Sequence, residues 1–484
     1  MQKYEARGPM LMAYLKGRPG DCSRYAQMID AAHDNGFASV TIVDADDPGT
    51  PARHCSTRDS VRFAQQQLTL LTSWPEEATE SAAAAKARDL AVQLAAAQGL
   101  EIDALAIHDT QVDVAFTNAR YRTEPEAYGR LARVLMATMP PEVETFRIIS
   151  LAQGVPTREL VLPRSSLERT ISDEGGGSEI LADAQTGETS VAPSRVSRPL
   201  VRYPVYDWSI RPVYNQSFFD PNRPYLYQLL AAFGGGVNFT PQLRLEGELQ
   251  ANIASDFGEL LPSDSLLPHV RSDQDLYYKY GRNGIAELQG SYTATAAPGV
   301  YALARGGILE SMFAGAGGEV LWRPDTERWA LGATLYEVWQ RGFDRLFDLQ
   351  PYHVLTGHVS LYYQSPWYGL DLQVDAGRYL AGDTGATFTI SRRFQTGVEI
   401  GAFATFTNVS SSQFGEGAFD KGFIIRIPMD FMVPLDSQSE FDMNLRPVTR
   451  DGGQMLQPEQ LLYDELRRTD YGELLDNADE IVHP

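Results

Sequence analysis

Leu370-Asp371-Leu372-Gln373-Val374-Asp375-Ala376 alternates apolar and polar residues one by one, and the same two-residue period returns in segment after segment from about residue 200 to 431. A β-strand sends successive side chains to opposite faces, so one face of the resulting sheet is apolar and the other polar. The segments run to about ten residues, the length a tilted strand needs to cross a bilayer. In Leu243 to Ile253 the apolar set Leu243, Leu245, Leu249, Ala251 and Ile253 opposes Arg244, Glu246, Glu248, Gln250 and Asn252. In Ala386 to Phe394, Phe388 and Ile390 oppose Thr387, Thr389, Ser391 and Arg393; farther on, Val398, Ile400, Ala402, Ala404 and Phe406 oppose Glu399, Gly401 and Thr405.

About twelve antiparallel strands are expected between residues 199 and 431. Trp208, Trp329, Trp339, Trp367, Tyr368 and Tyr379 fall near strand ends, where membrane barrels place interfacial aromatics. A soluble sandwich or lipocalin-like barrel shares the alternation. Against it, charges and small polar residues occupy the set that a soluble core would fill with Leu or Val, while the other set carries Ala, Gly and rim aromatics. A polar inside with an apolar outside predicts a transmembrane β-barrel. Glu337 falls on the apolar register, so it is expected near an interface or after a bulge.

With 484 residues the chain has room for two or three domains. Its net charge of −22 repels phosphate backbones, which argues against nucleic-acid binding. No run of about 20 apolar residues exists to form a spanning helix, a test that a barrel escapes because only every second residue must be apolar. Cys22 and Cys55 are the only cysteines; they lack zinc spacing, and either a single disulfide or two thiols fits them. Lys16 to Asp21 lacks the apolar stretch of a lipoprotein signal, and no secretory signal is read at Met1. An exported chain is therefore expected to be mature, truncated or begun at a wrong codon.

The region before the barrel reads as mixed α/β. Residues 1–99 hold a β-α-β order, with Met10 to Leu15, a helical stretch Cys22 to Ala32 and β-branched Ala38 to Val43, followed by an Ala-rich helix over Ser81 to Gln98. Residues 100–170 give a β-α-β-β unit: Val112 to Asn118, the helix Glu124 to Met139 with Tyr128, Leu131, Val134 and Leu135 on one face, Val143 to Leu151, and Arg158 to Pro163. Residues 171–198, around Gly175-Gly176-Gly177, read as a flexible linker. Residues 432–484 form an acidic tail with a short helix over Gln460 to Leu475, expected either to return into the lumen as a plug or to hang in the periplasm.

Enzyme signatures are thin, and no cofactor or metal is expected. The Asp44, Asp46, Asp47 cluster lacks the spacing of a calcium loop, His33, His54 and His108 have no ligand spacing, and no GxSxG elbow occurs. Under the strand register above, Arg244, Glu246, Glu248, Glu287, Asp371, Asp375, Arg393, Glu399, Arg426 and Asp430 all point into the lumen. Charges of both signs there either knit a small barrel shut or offer a hydrated, glycan-facing surface on which Tyr362 and Phe403 stack on sugar rings. A hydrolase or acyltransferase acting on lipid or glycan, and a soluble carbohydrate-binding β-sandwich, are the competing readings.

Several stretches carry a resemblance: Thr117-Asn118-Ala119-Arg120-Tyr121-Arg122, the helix with Tyr128-Gly129-Arg130-Leu131-Ala132-Arg133, Pro140-Pro141, Asp420-Lys421-Gly422-Phe423-Ile424-Ile425-Arg426-Ile427-Pro428, and Arg450-Asp451-Gly452-Gly453-Gln454. Over roughly residues 100 to 465 the chain resembles the YjbH/GfcD family of outer-membrane proteins from exopolysaccharide and group 4 capsule loci. The resemblance implies an outer-membrane β-barrel of a Gram-negative bacterium with periplasmic α/β units. It also implies a non-enzymatic part in exopolysaccharide secretion beside a polysaccharide export lipoprotein, as a polar passage or as support for a channel. Relatives commonly begin with a signal or lipoprotein peptide and a longer N-terminal region, neither of which is read here.

Overall fold

The computed structural model describes residues 10–15, 39–44, 53–56, 82–108, 110–172, 176–187, 201–218, 225–256, 265–414, 419–432, 436–446, 451–458 and 461–484. Strands β1 (Met10–Leu15), β2 (Ser39–Asp44) and β3 (Arg53–Ser56) form a small sheet, β1 and β2 parallel and β2 and β3 antiparallel. The parallel pair is what a β-α-β order requires. The helical stretch 22–32, Cys22, His33, Asp46 and Asp47 lie outside the described residues.

A five-stranded sheet follows, ordered β4 (Leu100–Ile107), β5 (Gln111–Asn118), β6 (Thr145–Ala152), β7 (Val155–Pro163) and β8 (Gln185–Gly187), with α1 (Ala82–Ala97), α2 (Glu124–Thr138), α3 (Arg164–Ser172) and α4 (Gly177–Asp183). Thr123 starts α2 by accepting from the Glu126 amide, Pro125 and two acids fill the first turn, and Pro140-Pro141 follow its end. Because α2 is the crossover, β5 and β6 pair parallel. Leu131 and Leu135 of α2 bury against Phe116, Phe146, Ile148, Leu160 and Leu162 of the strands. Each such side chain contributes roughly 1.5–3 kcal/mol by leaving water. The flexible linker expected over 171–198 is in part built structure: α4 inserts Ile180 into this core, and Asp183 accepts from Ser166 and Arg169 at 2.8 and 2.9 Å.

Among the described residues, thirteen strands make the large sheet: β9 (Val205–Phe218), β10 (Tyr225–Asn238), β11 (Leu243–Ser255), β12 (Gly284–Ala297), β13 (Val300–Ile308), β14 (Phe313–Trp322), β15 (Trp329–Arg341), β16 (Leu349–Gln364), β17 (Leu370–Arg378), β18 (Thr384–Arg393), β19 (Glu399–Thr407), β20 (Asp420–Pro428) and β21 (Glu440–Leu445). Each pairs antiparallel with its sequence neighbours, and among the described residues no pairing joins β9 to β21. The sheet runs past residue 431, because β21 re-enters it after a one-turn helix at Met429–Met432.

The faces of this sheet are inverted relative to a soluble core. Across β16 and β17, Val359 and Leu361 pair with Ala376 and Val374 on the outer side, while Ser360 and Tyr362 pair with Asp375 and Gln373 on the inner side. Val359 is 61% exposed and Phe388 50%, whereas Asp375 and Thr405 are each 2% exposed. Glu337 does face outward, close to the far end of β15. His353 on β16 bonds it at 3.0 Å, and Trp339 lies against the same imidazole.

The turns 239–242, 298–299, 323–328, 365–369 and 394–398 share one end of the sheet, and the α/β unit sits there. Gln242 donates to the Gly154 carbonyl, Tyr301 to that of Thr157, and Arg122 pairs with Asp430. At the far end α5 (Gln274–Tyr280), in the long connection between β11 and β12, packs Tyr277 on Met312, Phe313, Val338 and Leu380. No described helix is long and apolar enough to cross a membrane, which says nothing about crossing by strands.

Candidate functional site

The polar side of the sheet is covered by the chain's own tail around α6 (Leu462–Leu466), which runs on through α7 (Tyr471–Asp476) to α8 (Asp479–Val482) on the α/β unit. The Leu462 amide donates to Glu319 of β14 at 2.7 Å, Tyr463 lies flat on Tyr362 of β16 with ring centroids 3.7 Å apart, and Arg467 donates to Glu399 of β19 at 3.3 Å. A segment that touches β14, β16 and β19 at once lies within a curled sheet. The tail thus lies against the polar face of the sheet.

Farther along, the tail reaches the α/β unit. Arg323, buried where β14 ends, donates to the Leu466 carbonyl, the Thr469 hydroxyl and the Asp470 carboxylate at 2.9 Å each, and to the Thr157 carbonyl at 2.7 Å. Arg158 donates to the Thr469 carbonyl at 2.6 Å. Leu474, Ile481 and Val482 then complete the core of the α/β unit. Glu480 bonds the Thr123 hydroxyl, and Arg133 donates to the Ile481 and Val482 carbonyls. At Gly129 the Ile481 carbonyl comes so close that no β-carbon fits. Nearby, Glu124 accepts from Ser150 at 2.6 Å and Asn118 at 3.2 Å, and burial pushes its carboxyl above the usual range.

Between tail and sheet lies a cavity of about 270 Å³. Asp371, Asp375, Glu399 and Arg426 line it, with Tyr362, Phe403, Tyr463 and Arg467. Gln373 donates to both Asp375 oxygens at 3.0 and 2.9 Å. Arg393 adjoins the cavity and pairs with Asp371 at 3.3 Å, Glu399 at 3.7 Å and Glu473 of the tail. Arg244, Glu246, Glu248 and Glu287 form a second group on β11 and β12. There Arg244 pairs with Asp207 and Glu246 at 2.7 and 2.6 Å, Arg211 pairs with Glu248 at 2.6 Å, and Glu287 stands opposite Glu248 in the ladder.

Asp430 corrects the expected set. It lies beyond the last residue of β20, on the one-turn helix, and faces Arg122 of the α/β unit at 3.3 Å, because the strand alternation stops at Pro428. The two aromatic platforms are also occupied: Tyr463 covers Tyr362, and the Arg446 guanidinium lies 4.8 Å over Phe403. The arrangement can hold hydroxyl-rich groups by hydrogen bonds to paired charges. Its residents are the tail's own side chains, which residue periodicity does not reveal.

The motif around Asp451 is a clasp. Asp451 accepts from the amides of Arg271 and Ser272 at 2.8 and 2.9 Å and from the Ser272 hydroxyl at 2.7 Å. The Gly453 amide donates to Asp383 at 2.8 Å in a left-handed turn (φ +74), and Gln454 donates to Asp420 at 3.2 Å. It fixes the start of the tail to the far end of the sheet.

Fold and site thus define a mainly β protein with a large, inside-out antiparallel sheet joined to an α/β unit. The chain belongs to the YjbH family, whose model, described as "Exopolysaccharide biosynthesis protein YbjH", matches residues 47–468. It is 35% identical over 356 residues to the "Uncharacterized lipoprotein YjbH" of Escherichia coli (strain K12), across 71% of this chain and 50% of that protein. The chain thus spans about half the length of this curated relative. A solved structure of Salmonella typhi OmpF in complex with daunomycin aligns at 10% identity over 52% of this chain and 92% of that one, with a TM-score of 0.27.

Proposed function

We propose that this chain is an outer-membrane β-barrel component of exopolysaccharide secretion that works without catalysing a reaction, its α/β unit on the periplasmic side. The inside-out sheet carries this reading: Leu, Val, Ile and Phe face outward along strand after strand while carboxylates and hydroxyls are covered. In water such a face would exceed the apolar patches that soluble monomers expose; in lipid it belongs outside. The two longest connections, 256–283 and 408–419, lie at the end away from the α/β unit, and outer-membrane barrels carry their longer loops on the side away from the periplasm. Membership of the exopolysaccharide family supplies the pathway.

Tail and α5 fill the polar side, which favours support of a separate export channel over passage of polymer through this sheet. The expected partners are the exopolysaccharide, a polysaccharide export lipoprotein and other products of the same locus, and outer-membrane lipid. The test is deletion of the gene with cell-associated and released polysaccharide measured, then complementation by wild type and by an Asp371→Ala/Asp375→Ala variant. A supporting role predicts that deletion shifts the distribution and that both forms restore it. An unchanged distribution after deletion defeats the secretion reading; failure of a folded double variant to restore it favours passage.

A further inference from the structure

The charges around the cavity do not balance. Arg393 is taken up by Asp371, Glu399 and Glu473, Arg426 by Glu399 and Asp442, Arg446 by Asp420, and Arg467 by Glu399. Asp375 of β17 and Asp464 of α6 line the same cavity, and among the described residues no Lys, Arg or His pairs with either. Asp375 is 2% exposed and is held by neutral donors, Gln373 and Ser360. The two carboxylates, one from the sheet and one from the tail, stand close enough for their charges to act on each other and on the Tyr362 hydroxyl. A covered carboxylate without a cation is costly, and a bound cation relieves that cost.

We propose that the cavity is a binding site for an amino sugar with a free, protonated amine. The ammonium group sits between Asp375 and Asp464, and the sugar hydroxyls bond to Thr389 and Asn444 in the same wall. The choice of a glycan rests on the secretion reading above; the choice of an amine rests on the two carboxylates. A uronate or a phosphate is disfavoured, because every arginine around the cavity already holds a carboxylate. A bare metal ion fits less well, since no group of three or more His, Cys, Asp and Glu side chains among the described residues has the spacing to hold one. The side chains of Asp371 and Arg426 keep 28% and 29% of their surface exposed, so water reaches the cavity. Its 270 Å³ lies near the lower end of ligand pockets, roughly 300–1,000 Å³, and suits one sugar residue. Such a space grips a residue rather than conducts a chain, so its loss is read in binding and leaves polysaccharide release unchanged.

The test is isothermal titration calorimetry of the full chain in detergent micelles, in a slightly acidic buffer that keeps amines protonated. The probes are a β-linked glucosamine trimer, its fully N-acetylated counterpart and putrescine. The glucosamine trimer should bind at least about tenfold more tightly than the other two, and Asp375→Asn and Asp464→Asn should each weaken it by about tenfold or more. Because neither carboxylate holds a cation of the chain, both variants should keep the wild type's protease resistance over residues 461–484. Equal affinity for the acetylated trimer, equal or tighter binding of putrescine, or undiminished binding by the variants overturns the proposal. Loss of protease resistance in either variant makes that carboxylate structural and overturns its role here, and the three probes on the wild type decide the matter where a variant does not fold. Amine-selective binding with an unchanged polysaccharide distribution after gene deletion defeats the secretion reading alone; a changed distribution without such binding defeats only this site.

Discussion

In the five-stranded sheet Phe146 and Leu160 are wholly buried against α2, whereas in the thirteen-stranded sheet Val359 and Phe388 look outward and Asp375 and Thr405 look in. Both regions are built from the same pleat, and the sign of burial has switched between them. Alternation therefore shows that a sheet has two unlike faces, while the chemistry of the hidden set distinguishes one kind of sheet from the other. In the α/β unit the hidden set is aromatic and branched, as water outside demands. In the large sheet it is Thr, Ser, Asp, Glu and Arg, held by pairs such as Arg426 with Glu399 at 3.4 Å.

The contrast is sharpest under mutation. Phe146→Ala should cost about 3–5 kcal/mol in denaturant unfolding of the α/β unit, while Phe388→Ala in detergent should change little, since its ring is already half exposed. Equal losses at the two sites would break the comparison. Val359→Arg on the outer face should cost about 2–4 kcal/mol on folding into lipid vesicles, less if Val359 lies near an interface. Gly129→Ala drives a β-carbon into the Ile481 carbonyl and should cost about 1–3 kcal/mol, read as faster proteolysis of residues 461–484 with the sheet unaffected.

The smallest effect is on pH. Burial, aided by Glu101 and opposed by the Thr117 hydroxyl, raises Asp103 to about 7. A carboxyl raised in the folded state stabilises fully below its ordinary range, and that contribution is lost as pH rises through about 7. The α/β unit should therefore melt at a lower temperature at pH 8 than at pH 5, and Asp103→Asn should flatten the difference.

Much of this was legible in the residues. Thr123, Pro125 and the period of Tyr128, Leu131 and Leu135 announce α2, and the flanking runs match β5, β6 and β7. Strand β4 escaped because a bulge between Ile102 and Ala104 breaks its period, so that both Ala104 and Leu105 are buried. Strand β21 escaped because it has six residues and follows a helical turn. At the site, alternation marked the inward carboxylates, but which of them share a cavity depends on Tyr463 and Arg467, about a hundred residues farther along the chain. Proximity of that kind leaves no periodic trace.

Leu474, Ile481 and Val482 belong to the core of a unit whose strands were made hundreds of residues earlier. Synthesis delivers the N-terminal part first, so this unit waits, with an open apolar socket, until Leu474, Ile481 and Val482 arrive. A chain cut short before Leu474 would keep that socket vacant, with its apolar lining exposed to water.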